Sequence, residues 1–154
     1  MPVNHKPDGY HSVTPYLYIR GAANAIEFYK KALGAEELFR LPDKEGRIGH
    51  AELKIGDSVV MLADEYPTMK IVGPQTLGGT SMGLLVYVPD VDTIIGRALA
   101  QGAKLDRPIQ DQFYGDRSGT VVDPYGHKWT IATHIEDVPP EEMEERAKRA
   151  MQTA

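Results

Sequence analysis

Polar and apolar positions change period several times along the chain, and each change predicts an element. Residues 12–19 are rich in β-branched and aromatic side chains (Val13, Thr14, Tyr16, Tyr18, Ile19) and predict a strand, with Pro15 marking an edge or a bulge. From Ala22 the period becomes helical: Ala22, Ile26, Tyr29 and Leu33 fall on one stripe, and Gly34 stands where a helix-ending glycine belongs. Residues 36–41 predict a strand and 42–46 an exposed turn. Residues 50–55 then alternate polar and apolar, Gly56 and Asp57 mark a tight turn, and 58–63 run on as an apolar strand. The first half therefore predicts the order β-α-β-β-β.

The second half repeats the first at an offset of about seventy residues. Leu17-Tyr18-Ile19 returns as Val86-Tyr87-Val88, Gly34-Ala35 as Gly102-Ala103, and Arg47-Ile48-Gly49 as Arg117-Ser118-Gly119. Between the halves, residues 66–80 have the Pro and Gly content of a crossover linker. A strand over 82–88 follows, then a helix over 91–101 capped by Asp90 and burying Val91, Ile94, Ile95 and Ala98. Strands near 104–108, 119–122 and 127–135 complete the unit, separated by a polar loop at 110–116 and the turn Asp123-Pro124-Tyr125-Gly126. A last helix opens at Pro139-Pro140-Glu141-Glu142, with acids in its first turn and bases near its end, as the helix dipole favours. Its stripe of Met143, Ala147 and Met151 must cover the chain's own sheet or a second subunit. The predicted fold class is α+β: two tandem βαβββ units, about 11–66 and 80–137, plus a C-terminal helix over 138–154. A duplicated unit commonly places its site in the groove between the copies.

Composition narrows the partners. In 154 residues, 17 basic against 22 acidic side chains give a net charge of −5. The basic residues are scattered rather than gathered on one face, which argues against nucleic acid. Cysteine is absent, so disulfides and thiolate metal sites are excluded. No apolar run approaches the roughly 20 residues of a membrane helix, and the polar N-terminus lacks the apolar stretch of a secretory signal. The expectation is a cytoplasmic protein without membrane contact.

The segment Ala25-Ile26-Glu27-Phe28-Tyr29-Lys30-Lys31-Ala32-Leu33-Gly34-Ala35, the motif Asp123-Pro124-Tyr125-Gly126-His127-Lys128-Trp129 and the tandem units together resemble the vicinal oxygen chelate superfamily, which holds glyoxalase I, bleomycin and fosfomycin resistance proteins and extradiol dioxygenases. Tyr114-Gly115-Asp116-Arg117 ahead of that motif is most similar to its PhnB-like branch. The resemblance implies one domain over 1–137 with a cupped, eight-stranded mixed sheet, often completed by dimerisation, so a homodimer is expected. It also implies metal ligands on the first and last strands of each unit. Those positions correspond here to Thr14, Met61, Gly83 and Thr130, none of which is a good ligand for a divalent first-row ion. No metal and no cofactor are expected.

Candidate chemistry then falls to other residues. His50 and Glu52 share one strand face, with Ala51, Leu53 and Ile55 on the other. Three readings stay open for the pair: a solvated strand face, contact with a ligand as general base and carboxylate, or two members of an unconventional metal site. Gly119 and Val121 are their expected counterparts in the second unit. Tyr16, Tyr18 and Tyr87 are candidate aromatic walls beside Thr14, Met61 and Thr130. Phe113, Tyr114, Asp116 and Arg117 are expected in a loop over the mouth of the cup, with Arg117 holding an anion or pairing with an acid. Glu65 and His134 are expected at the rim, His127 at the surface, His5 and His11 in an irregular arm, and Trp129 as a core anchor against a helix. The function expected from these features is metal-independent binding of an aromatic or apolar small molecule. The alternative is a lyase, isomerase or dioxygenase that uses His50 and Glu52, with or without a divalent metal. A third option is an interaction module acting through the C-terminal helix.

Overall fold

In the computed structural model, which describes residues 2–153, the two predicted units are present in order. The first comprises β1 (Tyr16–Ile19), α1 (Ala22–Leu33), β2 (Glu36–Pro42), β3 (Ile48–Ile55) and β4 (Ser58–Asp64). The crossover contains a 3-10 turn (Pro67–Met69) and a short helix α2 (Pro74–Leu77), so it is more structured than its composition predicts. The second unit comprises β5 (Gly83–Tyr87), α3 (Val91–Ala100), β6 (Lys104–Asp111), β7 (Asp116–Val122) and β8 (Lys128–His134), and α4 (Pro140–Gln152) follows.

The eight strands lie in two four-stranded sheets, ordered β1-β4-β3-β2 and β5-β8-β7-β6. In each, the first strand runs parallel to the last and the other neighbours are antiparallel. Helix α1 packs on one face of the first sheet, α3 on one face of the second, and α1 and α3 pack on each other. A single apolar core joins the units: Leu17, Ile19, Leu53 and Leu62 meet Ala25, Ile26 and Tyr29 on one side and Ile95, Ala98, Val121 and Ile131 on the other. The helices thus occupy the middle, and the sheet faces turned away from them are open.

Local chemistry explains the boundaries. Gly34 closes α1 at φ 67°, a left-handed conformation that only glycine adopts without cost, and its N–H donates to the Tyr29 carbonyl. The N-terminus of α1 has no cap of its own; Asp64, at the end of β4, accepts from the N–H groups of Gly21 and Ala22 at 3.0 and 2.9 Å. Thr133 holds the matching position in the second unit and takes the Val91 N–H at 2.9 Å, beside the predicted cap Asp90, whose carboxylate accepts from the Thr93 N–H. Strand β1 begins later than predicted, at Tyr16, although the Pro15 carbonyl still accepts from Met61. The polar stretch 110–116 is not a long loop. Strands β6 and β7 run through it and close in the turn Gln112–Asp116, because on an exposed edge the backbone ladder does not depend on apolar side chains.

Three hairpins share one five-residue turn, in which the first N–H donates to the last carbonyl and a glycine N–H donates back to the first: Asp43–Arg47, Gln112–Asp116 and Asp123–His127. The third also clasps the units together. Asp123 is 4% exposed; one carboxylate oxygen accepts from the Tyr29 hydroxyl (2.5 Å) and the Trp129 indole (3.0 Å), the other from the N–H groups of Tyr125 and His127. Burial and the neighbouring Asp123 push the Tyr29 phenol well above its ordinary value. Trp129 is the expected core anchor. His127 is not the surface group its turn position predicts: it is buried, and its Nε2–H donates to the Tyr18 carbonyl at 3.1 Å, reaching from the second unit to β1. Among the described residues, no helix is long and apolar enough to cross a membrane.

Candidate functional site

On the open face of the first sheet the register builds one row across four strands: Tyr16 on β1 pairs with Met61 on β4, Met61 with Glu52 on β3, and Glu52 with Phe39 on β2. The next positions pair Tyr18 with Ala63 on β1 and β4, and His50 with Leu41 on β3 and β2. Rings follow the rows. Tyr18 lies 5.4 Å from Tyr16, Tyr16 lies 5.5 Å from His50, and His50 lies 5.8 Å from Phe39, all tilted. The result is an aromatic strip from the outer edge of β1 to β2, with Met61 and Glu52 as its floor.

Glu52 is the chemical centre of that floor. It is 5% exposed, and both carboxylate oxygens are engaged: Oε1 accepts from the Tyr10 hydroxyl and Oε2 from His50 Nε2 at 2.6 Å. With Nε2 donating to Glu52, His50 Nδ1 is left as the acceptor for the Tyr16 hydroxyl, 2.8 Å away. Carboxylate, imidazole and phenol form a chain in which Glu52 sets the tautomer and His50 presents a base to Tyr16. The phenols of Tyr10 and Tyr16 sit above the ordinary tyrosine value, Tyr10 chiefly through its hydrogen bond to Glu52 and Tyr16 chiefly through burial, so both remain donors at neutral pH. His50 and Glu52 thus meet on one face, as the alternation predicts. Tyr10 and Phe39 escaped the sequence reading, since neither lies in a pattern that points to its neighbour.

The second sheet has the same rows with different contents. Leu85 pairs with Thr130 and Thr130 with Thr120; Tyr87 pairs with Ala132 and Ala132 with Ser118. Ser118 and Thr120, not Gly119 and Val121, therefore match His50 and Glu52. Gly119 faces the helices, where an added Cβ would meet Ile95 at 2.8 Å. The Thr120 and Thr130 hydroxyls bond each other at 2.9 Å. Polar chemistry lies further along: His134 Nδ1 meets Asp116 at 2.8 Å, its Nε2 meets Asp137 at 2.7 Å, and the Tyr87 hydroxyl donates to Asp116 at 3.1 Å. The two carboxylates raise the imidazole of His134 above its ordinary value.

Several expected site residues stand elsewhere. Thr14 precedes β1, and its hydroxyl donates to the His11 carbonyl; the residue in the row with Met61 is Tyr16, two positions on. Gly83 pairs with Lys128, and Leu85 takes the place beside Thr130. Arg117 does not reach the open face: its guanidinium donates to Asp92, in the first turn of α3, at 2.9 and 3.0 Å and to Asp111 at 3.0 Å. Asp116 begins β7 and is buried rather than in a loop. Phe113 and Tyr114 do form the turn, packed edge to face, with the Phe113 carbonyl taking Arg146 of α4. Glu65 pins the crossover, accepting from the Gly73 N–H at 2.7 Å and Arg20 at 3.2 Å. A cavity of about 550 Å³ lies at the junction of the units, between the stem of the arm (His11, Val13, Pro15), the β3–β4 turn and β5. It holds neither His50 nor Glu52, so the junction and the polar cluster are separate places.

The donor set does not suit a divalent metal. Tyr16, Met61, Leu85 and Thr130 hold the row positions, and the donor atoms of His50 and Glu52 are turned on each other and on Tyr16 and Tyr10. Among the described residues, no three His, Cys, Asp or Glu side chains form a group that could hold a metal ion.

Comparison with known proteins places this geometry in context. An uncharacterised protein of Mycobacterium bovis is 40% identical over 147 residues, 94% of each chain. The crystal structure of TioX from Micromonospora sp. ML1 superposes with a TM-score of 0.65 at 30% identity, covering 81% of this chain and 99% of that one. The PhnB protein of Bacillus cereus shares the fold at a TM-score of 0.64 and 20% identity, covering 80% of this chain and 99% of that one. The sequence profile of the Glyoxalase/Bleomycin resistance protein/Dioxygenase superfamily spans residues 10–131, from the tyrosine that meets Glu52 to the core of β8, and the chain belongs to that superfamily.

Proposed function

We propose that the protein binds an aromatic or apolar small molecule, without a metal, on the open face of the first sheet, and that it works as a cytoplasmic homodimer. The observation that carries this reading is the strip Tyr18, Tyr16, His50 and Phe39 over a floor of Met61 and one buried carboxylate: flat apolar walls with a single polar anchor are what an aromatic ligand requires. The homodimer is supported by the outer edges of β1 and β5, which have no strand beside them, and by the exposed Leu85 and Tyr87 at 52% and 61%. A second copy would cover those edges and turn two half-cups into closed ones. Metal independence is supported by the donor set.

A second reading, a lyase, isomerase or dioxygenase of the same superfamily, is favoured by one observation, the Tyr16–His50–Glu52 chain, which is arranged to move a proton. A thermal-shift and native mass-spectrometric screen of aromatic compounds, with and without added divalent ions, tests both. A ligand at a hundred times its dissociation constant should stabilise the fold by about 2.7 kcal/mol. Stabilisation independent of metal is expected. Turnover abolished by His50→Ala would establish the enzyme instead. Sedimentation at several concentrations reads the dimer.

A further inference from the structure

The arm that precedes β1 has no strand or helix, yet it reaches the candidate site. Its own bonds are internal: Lys6 donates to the Tyr10 carbonyl at 2.7 Å, and the Tyr10 N–H donates to Pro7 at 3.3 Å. Gly9, at φ 85°, supplies the left-handed residue that swings Tyr10 towards the sheet. Among the described residues 2–14, the bond from the Tyr10 hydroxyl to Glu52 is the one hydrogen bond to the body of the protein. The neighbours of Tyr10 in the arm, Pro7, Asp8, Gly9 and His11, are exposed, whereas Tyr10 is half-buried. A segment of mostly exposed residues without strand or helix thus places one phenol on the buried carboxylate, in the row that runs from Tyr16 to Phe39.

We infer that the arm is a releasable strap whose Tyr10 phenol occupies the place of a ligand hydroxyl, so that the site takes neutral aromatic compounds bearing a hydroxyl and admits them by exchange with Tyr10. This rests on the reading of the first sheet's open face as a ligand site. The chemistry of exchange is balanced: a phenolic O–H leaves the carboxylate and another arrives, so Glu52 is never left buried without its donor. Compounds lacking a donor cannot replace Tyr10 on Glu52 and gain nothing from its departure.

The test uses two probes that share one ring system, 2-naphthol and its methyl ether 2-methoxynaphthalene, titrated into the full chain and into Tyr10→Phe and Tyr10→Ala. Tyr10 lies outside every strand and helix and outside the core, so both variants keep the fold, which circular dichroism checks. The affinity for 2-naphthol is expected to rise about tenfold or more in both variants, because the competent, strap-open state is no longer a minor one. 2-Methoxynaphthalene has no donor for Glu52 and does not exchange with Tyr10, so it does not select the strap-open state, and its affinity for Tyr10→Phe should stay within about twofold of the parent chain. In the parent chain, 2-naphthol at saturation should speed amide exchange over residues 2–14. Equal 2-naphthol affinity in all three chains, or an arm as protected with ligand as without, overturns the strap and leaves the ligand site standing. Failure of both probes to bind any of the three chains overturns the ligand-site reading and the strap with it.

Discussion

The two units share strand order, register and helix placement, yet their open faces hold different chemistry. In the first, the row from β1 to β3 reads Tyr16, Met61, Glu52; in the second, Leu85, Thr130, Thr120. The first places a buried carboxylate at the centre of its floor, with an imidazole beside it. The second seals the same spot with two hydroxyls bonded to each other and puts its carboxylate and imidazole, Asp116 and His134, at the end of the strands. A pair of hydroxyls that satisfy one another offers no open partner. The first-unit carboxylate is met on one oxygen by a residue from the arm, and that is the place the proposed ligand would take. The frame repeats, and a handful of differences on the open face put the buried carboxylate in one copy.

The sharpest break in the comparison lies in the hairpin turns. Asp43 and Asp123 open identical turns, but Asp43 is on the surface with Arg47, whereas Asp123 is buried beneath Tyr29 and Trp129. Asp123→Ala strands two buried side-chain donors and should cost about 3 kcal/mol or more, read as a lower midpoint in chemical denaturation. Asp43→Ala should leave that midpoint near the parent value.

Helix capping gives the next effect. Asp64 brings the capping charge to α1 from β4 and also takes the Ile48 N–H at 2.7 Å, whereas α3 carries its own capping carboxylate, Asp90, and Thr133 adds only a neutral acceptor. Asp64→Ala should cost about 1–2 kcal/mol and Thr133→Val about half of that, measured in the same way. A reversed order would show that the caps are not equivalent positions of a repeat.

Glu52→Gln should weaken 2-naphthol binding about tenfold, through loss of a charge-assisted hydrogen bond, while Thr120→Val, its counterpart, leaves binding unchanged. The smallest effect is a pH dependence. The His134 value is raised by Asp116 and Asp137, so its stabilising contribution is complete below the ordinary value of 6.5 and is lost as the pH rises through the higher folded-state value. The parent chain should therefore exceed His134→Ala in stability most at mildly acidic pH, and the gap should narrow on alkalinisation.

Much of the frame was legible beforehand. The helix Ala22–Leu33 follows from its stripe and its glycine stop, and the alternation from 50 to 55 put His50 and Glu52 on one face. The site was legible only in part. Thr14 and Gly83 were placed two residues from the true row positions Tyr16 and Leu85, and Gly119 and Val121 one residue from Ser118 and Thr120. The two errors differ in kind: a shift of two residues keeps the strand face and moves only the row, whereas a single-residue slip exchanges the faces of the strand. The polar composition of 110–116 predicts a loop that would carry Arg117 over the cup; as a strand residue it turns instead to Asp92 of α3 and Asp111 of β6.

What the sequence determined by itself is what neighbouring residues decide among themselves. Periodicity selects helix or strand, and glycine ends a turn or a helix, because these choices depend on backbone sterics within a few residues. Tertiary structure alone decided that Tyr10 meets Glu52, that His127 meets Tyr18, and that Tyr29 meets Asp123. Those contacts join residues far apart in the chain, and nothing local in either partner encodes the distance to the other. They arise when two sheets, held by one shared core, bring the arm and the turn Asp123–His127 to rest on them.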